Sequence, residues 1–112
     1  MEAAPRFQYT GDISLAPLVT RALHRVVDPE MAIDVVELGL VYGVDAAAGV
    51  IGVRITMTSA ACPVTELIVD EVERELVREF GETTRVEVVV VWEPPWDPEM
   101  MSDSARTALG WD

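Results

Sequence analysis

Apolar residues recur at three- and four-residue steps through Leu15, Leu18, Val19, Ala22, Leu23 and Val26. That period gives one apolar helical face and predicts a helix over 14–27, with Ser14 as its N-cap and Pro17 in its first turn. His24 falls on the other side, about opposite Leu15, which predicts a solvated imidazole. Asp28-Pro29-Glu30 ends the helix, because proline disfavours helical backbone in the residue before it. Residues 31–40 read as extended, through Ile33, Val35 and Val36 to Gly39. A strand over 40–44, a loop over 45–49 and a strand over 50–58 then make a hairpin. The second strand alternates: Ile51, Val53, Ile55 and Met57 share one face, and Arg54, Thr56 and Thr58 the other.

A second helix is predicted over 63–80, where Ile68, Val72, Leu76 and Phe80 step by four and Gly81 supplies the stop. Val86 and Val88 to Val91 make a third strand over 85–92. Its near-continuous β-branched run suggests a strand covered on both faces or placed centrally. A strand–helix–strand crossover of this length predicts parallel pairing of the second and third strands. Prolines at 94, 95 and 98 end the sheet, and a short last helix follows over 103–109. The expected fold is a two-layer α/β (α+β) sandwich, with a small mixed sheet of three to four strands and helices packed on one face. Residues 1–13 read as an N-terminal tail and 14–112 as a single domain.

Composition narrows the function classes. The 112 residues carry 20 acids against 8 bases, a formal net charge of −12, and every base is arginine. Such a surface repels nucleic-acid phosphate and anionic lipid, and suits a basic partner or a cation. Solubility alone is the plainer account of much of that charge. No apolar run approaches the roughly 20 residues that span a bilayer. The first six residues lack a charged-then-apolar signal pattern, and one cysteine makes no internal disulfide, so the expected compartment is the cytoplasm.

The chemistry centres on Cys62, the only cysteine, at the joint between the second strand and the second helix. With Pro63 as the first helical residue, Cys62 is the N-cap. Its sulfur then faces unpaired N–H groups and the positive end of the helix dipole, an environment that favours the thiolate. A lone cysteine is also often a small buried hydrophobe, and both readings stand. Asp28, Glu30, Asp34 and Glu37 are either turn chemistry or a carboxylate rim beside the thiol. Thr56, Thr58 and Ser59 add hydroxyls. Trp96, Met100 and Met101 either pack the C-terminal segment over the sheet end or form a partner-binding surface. There is no phosphate-cradling glycine loop, zinc spacing or nucleophile elbow. One thiol cannot fill the four thiolate positions of an iron–sulfur cluster, but it can hold one transiently with a partner's ligands or across a homodimer.

Four stretches occur in one order: Asp28-Pro29-Glu30, Leu38-Gly39-Leu40-Val41-Tyr42, Thr58-Ser59-Ala60-Ala61-Cys62-Pro63, and Trp92-Glu93-Pro94-Pro95-Trp96 with Met100-Met101-Ser102. Together they resemble the SufT/PaaD-like family of small iron–sulfur cluster assembly proteins, and the Pro-Pro-Trp and Met-Met-Ser tail is closer to the SufT-like branch. The resemblance spans roughly 14–110. It implies a two-layer α/β fold and a non-catalytic role in maturing iron–sulfur proteins. It further implies that Cys62 is the functional thiol, that iron or a cluster is transient cargo, and that client apoproteins and the assembly machinery are partners. Many members have aspartate before Leu-Gly. Glu37 keeps that charge one methylene further out. The alternative is a protein–protein adaptor in metalloprotein maturation, including a PaaD-like oxygenase-assembly role. A thiol enzyme ranks third, because no second cysteine can resolve a disulfide.

Overall fold

The computed structural model describes residues 7–58 and 64–110. In chain order the elements are β1 (Gln8–Gly11), α1 (Ala16–His24), β2 (Val27–Asp28), β3 (Ile33–Asp34), β4 (Val41–Ala47), β5 (Val50–Ile55), α2 (Val64–Phe80), β6 (Arg85–Val90) and α3 (Asp103–Ala108). Short 3-10 turns at Ile13–Leu15 and Pro98–Met100 precede α1 and α3. β1, β4, β5 and β6 form one mixed sheet in that order, and β2 and β3 form a two-residue ribbon. β4 and β5 are antiparallel, while β1–β4 and β5–β6 are parallel. The helices pack against this sheet, giving the expected two-layer α/β arrangement.

The alternation read from the sequence is the alternation of the core. Ile51, Val53, Ile55 and Met57 are buried, and they meet Val19, Leu23 and Val26 of the α1 segment and Ile68, Val72 and Leu76 of α2. Each such aliphatic side chain contributes roughly 1.5–3 kcal/mol on burial. Ion pairs stitch the α1 end to α2, with Arg25 Nη1 3.0 Å from Glu79 Oε1. Arg25 Nε meets Glu75 Oε1 at 2.6 Å, and Arg21 Nη2 meets Glu79 Oε2 at 2.5 Å.

Several sequence expectations change. First, Gln8–Gly11 within the expected tail is a strand, pairing with Gly43–Ala46 at the sheet edge. It is mostly solvent-facing, so it has no apolar period to betray it. Second, Ser14 caps nothing: Asp12 caps the 3-10 turn, its carboxylate accepting the Ser14 N–H at 2.9 Å, and α1 begins at Ala16 with Leu15 at its N-cap and no side-chain cap bond. Third, residues 35–39 turn where an extended segment was expected. Asp34 Oδ1 accepts the N–H groups of Val36 (3.0 Å) and Glu37 (2.9 Å), and this aspartate turn competes with extension. Fourth, β6 is an edge strand, neither central nor covered on both faces. Val86, Val88 and Val90 are half-buried, but Val89 is 55% exposed. The 45–49 loop is also shorter than expected, since the strands run to Ala47 and from Val50 and leave Ala48-Gly49 as the turn.

Candidate functional site

β5 delivers the chain to Thr58, and α2 resumes at Val64. Between them Ser59, Cys62 and Pro63 lie outside the described residues, as does the proposed N-cap geometry. The surroundings on either side are well defined. The Thr56 N–H donates to Leu40 O at 2.8 Å, which sets the end of β5 beside the start of β4. Thr56 was read as part of an outward face with Arg54 and Thr58, but it is buried. Among the described residues its hydroxyl makes no hydrogen bond of good geometry, but it stands beside the Tyr42 hydroxyl, where burial raises that phenol and Thr56 holds it down in part. It lies just before the 59–63 segment; its hydroxyl is among the candidates, but its burial breaks the strand alternation that placed it outward.

The C-terminal segment folds over this corner. Trp96 Nε1 donates to Leu38 O at 2.8 Å, and the Ser102 N–H donates to Glu37 O at 2.8 Å. The Ser102 hydroxyl also donates to Glu37 Oε1. The Tyr42 hydroxyl donates to Pro94 O at 2.7 Å, with Met100 Sδ 3.5 Å away. Met101 is buried in the core, and Trp96 is half-buried against it. These side chains pack the segment over the corner, as one of its two readings has it. Trp92 is the exception, at 47% exposed. Gly39 makes the crossing possible. Its φ is +78°, and a Cβ there would stand 2.3 Å from Met100 O. Only glycine combines that backbone with that approach.

The acidic residues divide by task. Asp28 is 1% exposed, and its Oδ1 accepts the N–H groups of Glu30 (2.8 Å) and Met31 (3.3 Å). Its carbonyl accepts the Ala32 N–H at 2.8 Å, closing the turn between β2 and β3. Asp28 therefore acts as the staple of that turn, while Glu30 is exposed at its tip. Glu37 is half-buried and engaged with Ser102. His24 is exposed, as the period predicts, and its Nδ1 stands 3.1 Å from Asp34 Oδ1. His24, Asp34 and Glu37 bring one ligand atom each within 4.8 Å of one another. The turn and tail hydrogen bonds already engage both carboxylates of that set. Thus Glu37, Trp96, Met100 and Met101 gather at one corner with Ser102 and Tyr42, and Thr58 heads the chain segment that carries Cys62.

Comparison with known proteins agrees with this architecture. The family described as "Iron-sulfur cluster assembly protein" matches residues 18–90. The chain is 47% identical over 90 residues to the Fe-S protein maturation auxiliary factor YitW of Bacillus subtilis, covering 80% of this chain and 87% of that one. It is 48% identical over 86 residues to the Fe-S protein maturation auxiliary factor SufT of Staphylococcus aureus, covering 76% of this chain and 97% of that one. A solved domain of unknown function from Bacillus anthracis superposes with a TM-score of 0.78 at 42% identity, covering 87% of this chain and 92% of that one. Among the described residues no helix is long and apolar enough to cross a membrane. With that family match over residues 18–90 and these two relatives over most of both chains, this protein belongs to the iron–sulfur cluster assembly protein family.

Proposed function

We propose that this protein is a non-catalytic accessory factor that accepts iron or an iron–sulfur cluster and passes it to client apoproteins in the cytoplasm. The observation that carries this reading is the 47–48% identity, over most of both chains, to two proteins named as maturation auxiliary factors. In this reading Cys62 is the thiol that touches the cargo. A thiolate binds iron strongly enough to hold it, and one thiolate per chain leaves room for the client's own ligands. Weak holding suits a carrier, because the cargo must leave. A homodimer joining two Cys62 thiols would raise the count to two without a partner. The acidic turn with Glu30 at its tip, and the tail corner with Glu37 and Met100, would face the client.

The test is maturation of an iron–sulfur enzyme in cells that depend on this protein. Cys62→Ser should abolish client activity at unchanged protein level and thermal stability. A second reading, an adaptor in which Cys62 is only structural, draws support from Trp92, the large aromatic that the tail leaves exposed. It predicts the reverse: Cys62→Ala keeps client activity and Trp92→Ala loses it. A Cys62→Ser variant that matures clients normally would sink the carrier reading.

A further inference from the structure

The end of α1, β3 and the turn after it bring together three side chains of metal-binding type. His24 is the last residue of α1, Asp34 the last of β3, and Glu37 lies in the 35–39 turn. Each offers one ligand atom, and the three atoms lie within 4.8 Å of one another. His24 Nδ1 and Asp34 Oδ1 stand 3.1 Å apart. Zinc–ligand bonds of roughly 2.0–2.2 Å set tetrahedral ligand atoms about 3.3–3.6 Å apart. This pair is therefore already near that spacing, and a side-chain torsion closes Glu37 onto it. The turn and tail hydrogen bonds hold both carboxylates in position. The Val36 and Glu37 N–H groups fix Asp34, and the Ser102 hydroxyl fixes Glu37 Oε1. Metal-ligating carboxylates are oriented by such outer bonds. An ionised carboxylate has about four acceptor sites, so two turn bonds leave Asp34 capacity for an ion.

The electrostatics point the same way. Arg21 and Arg25, the arginines of the α1 end, turn to Glu79 and Glu75 of α2. His24 sits at the negative end of the α1 dipole, where a cation is favoured. A cavity of about 380 Å³ opens on the three side chains, with Ser104, Ala105 and Ala108 along its wall. It gives an ion a way in and leaves a position for water. A hydrogen bond from His24 to Asp34 accounts for their contact alone; the second carboxylate and the cavity complete a ligand set. We propose that His24, Asp34 and Glu37 form a binding site for one divalent transition-metal ion of the zinc type. One imidazole nitrogen and two carboxylate oxygens select such an ion over magnesium or calcium, which prefer oxygen alone. The ion would tie α1 and β3 to the turn that holds the tail through Ser102. The site uses no thiol and does not rest on the cargo reading of Cys62.

The probe is zinc ion, titrated into the untagged full chain carrying Cys62→Ser, so that no thiol competes. Binding is read by calorimetry and by NMR of the His24 ring, the only imidazole in the chain. One ion per chain should bind and shift the His24 ring signals. It should also raise the thermal midpoint, because a ligand that binds only the folded chain stabilises it. Excess magnesium should not displace it. Asp34→Asn keeps an oxygen acceptor for the turn while removing the charge. It should weaken zinc binding about tenfold or more, as should His24→Gln at its exposed position. Glu66→Gln with Glu73→Gln, exposed acids of α2 outside the site, should bind zinc as the parent does. The proposal is overturned if zinc leaves the His24 signals unmoved, which would reduce the contact with Asp34 to a hydrogen bond. Displacement by magnesium would also overturn it, as would parental affinity in both Asp34→Asn and His24→Gln. Equal weakening in the α2 double variant would do the same, by assigning the binding to the general acidic surface.

Discussion

Gly39 shows how one residue holds the corner together. Its φ of +78° and the 2.3 Å approach of Met100 O to a would-be Cβ leave no room for a side chain. Gly39→Ala should therefore destabilise the fold by on the order of 2–4 kcal/mol, adding left-handed strain to a backbone clash. Equilibrium denaturation checks the magnitude, and limited proteolysis should show cleavage near 93–99 before the core opens. A variant within about 0.5 kcal/mol of the parent would mean that the tail does not depend on this crossing. At this scale the sequence revealed which residue types matter and concealed their tasks. Asp28 and Glu30 look alike in an acidic motif, yet one is a buried turn staple and the other is exposed. The difference arises from hydrogen bonds to Glu30 and Met31 that no periodicity encodes. Thr56 and Trp96 are similar cases, because burial at the end of β5 and a bond to Leu38 O depend on where the tail lands.

The elements differ in how much they depend on charge. α1 and α2 are joined by Arg21 and Arg25 against Glu75 and Glu79. Hydrogen bonding from Arg21, the largest influence, helped by Arg25 and opposed by burial, holds the Glu79 carboxyl below its ordinary range. A carboxyl whose folded pKa is depressed binds fewer protons in the folded chain than in the unfolded one. Its contribution is thus complete above the unfolded value of about 4.3 and is lost as pH falls through the lower folded value. Denaturation midpoints should hold from pH 7 to about 5 and fall below about 4.3, and Glu79→Gln should flatten that fall. An equal fall in Glu79→Gln would assign the acid sensitivity to other carboxylates. The elements themselves were largely legible. The β4–β5 hairpin, the inward face of β5, the long α2 and the parallel β5–β6 pair all follow from period and length. Two cues misled. The valine run of β6 resembles a covered strand because alternate valines face the helices while Val89 faces solvent. β1 pairs with β4 some 35 positions away and is mostly solvent-facing, so local pattern could not place it.

For the molecule as a whole, the sheet, the two-layer packing and the tail crossing meet where the end of β5 lies beside the start of β4. β5 and α2 are held by the core, the tail braces the start of β4, and the chain between Thr58 and Val64 carries the only thiol. The chain's charge of −12 favours basic or cationic partners over nucleic acid or anionic lipid. The measurement that tests the central claim most directly is anaerobic reconstitution of the purified protein with iron and sulfide, wild type beside Cys62→Ser, reading visible absorption and iron per chain. Delivery through Cys62 predicts iron and cluster bands in the wild type that disappear in the variant. No iron in either protein, or equal iron in both, would contradict it.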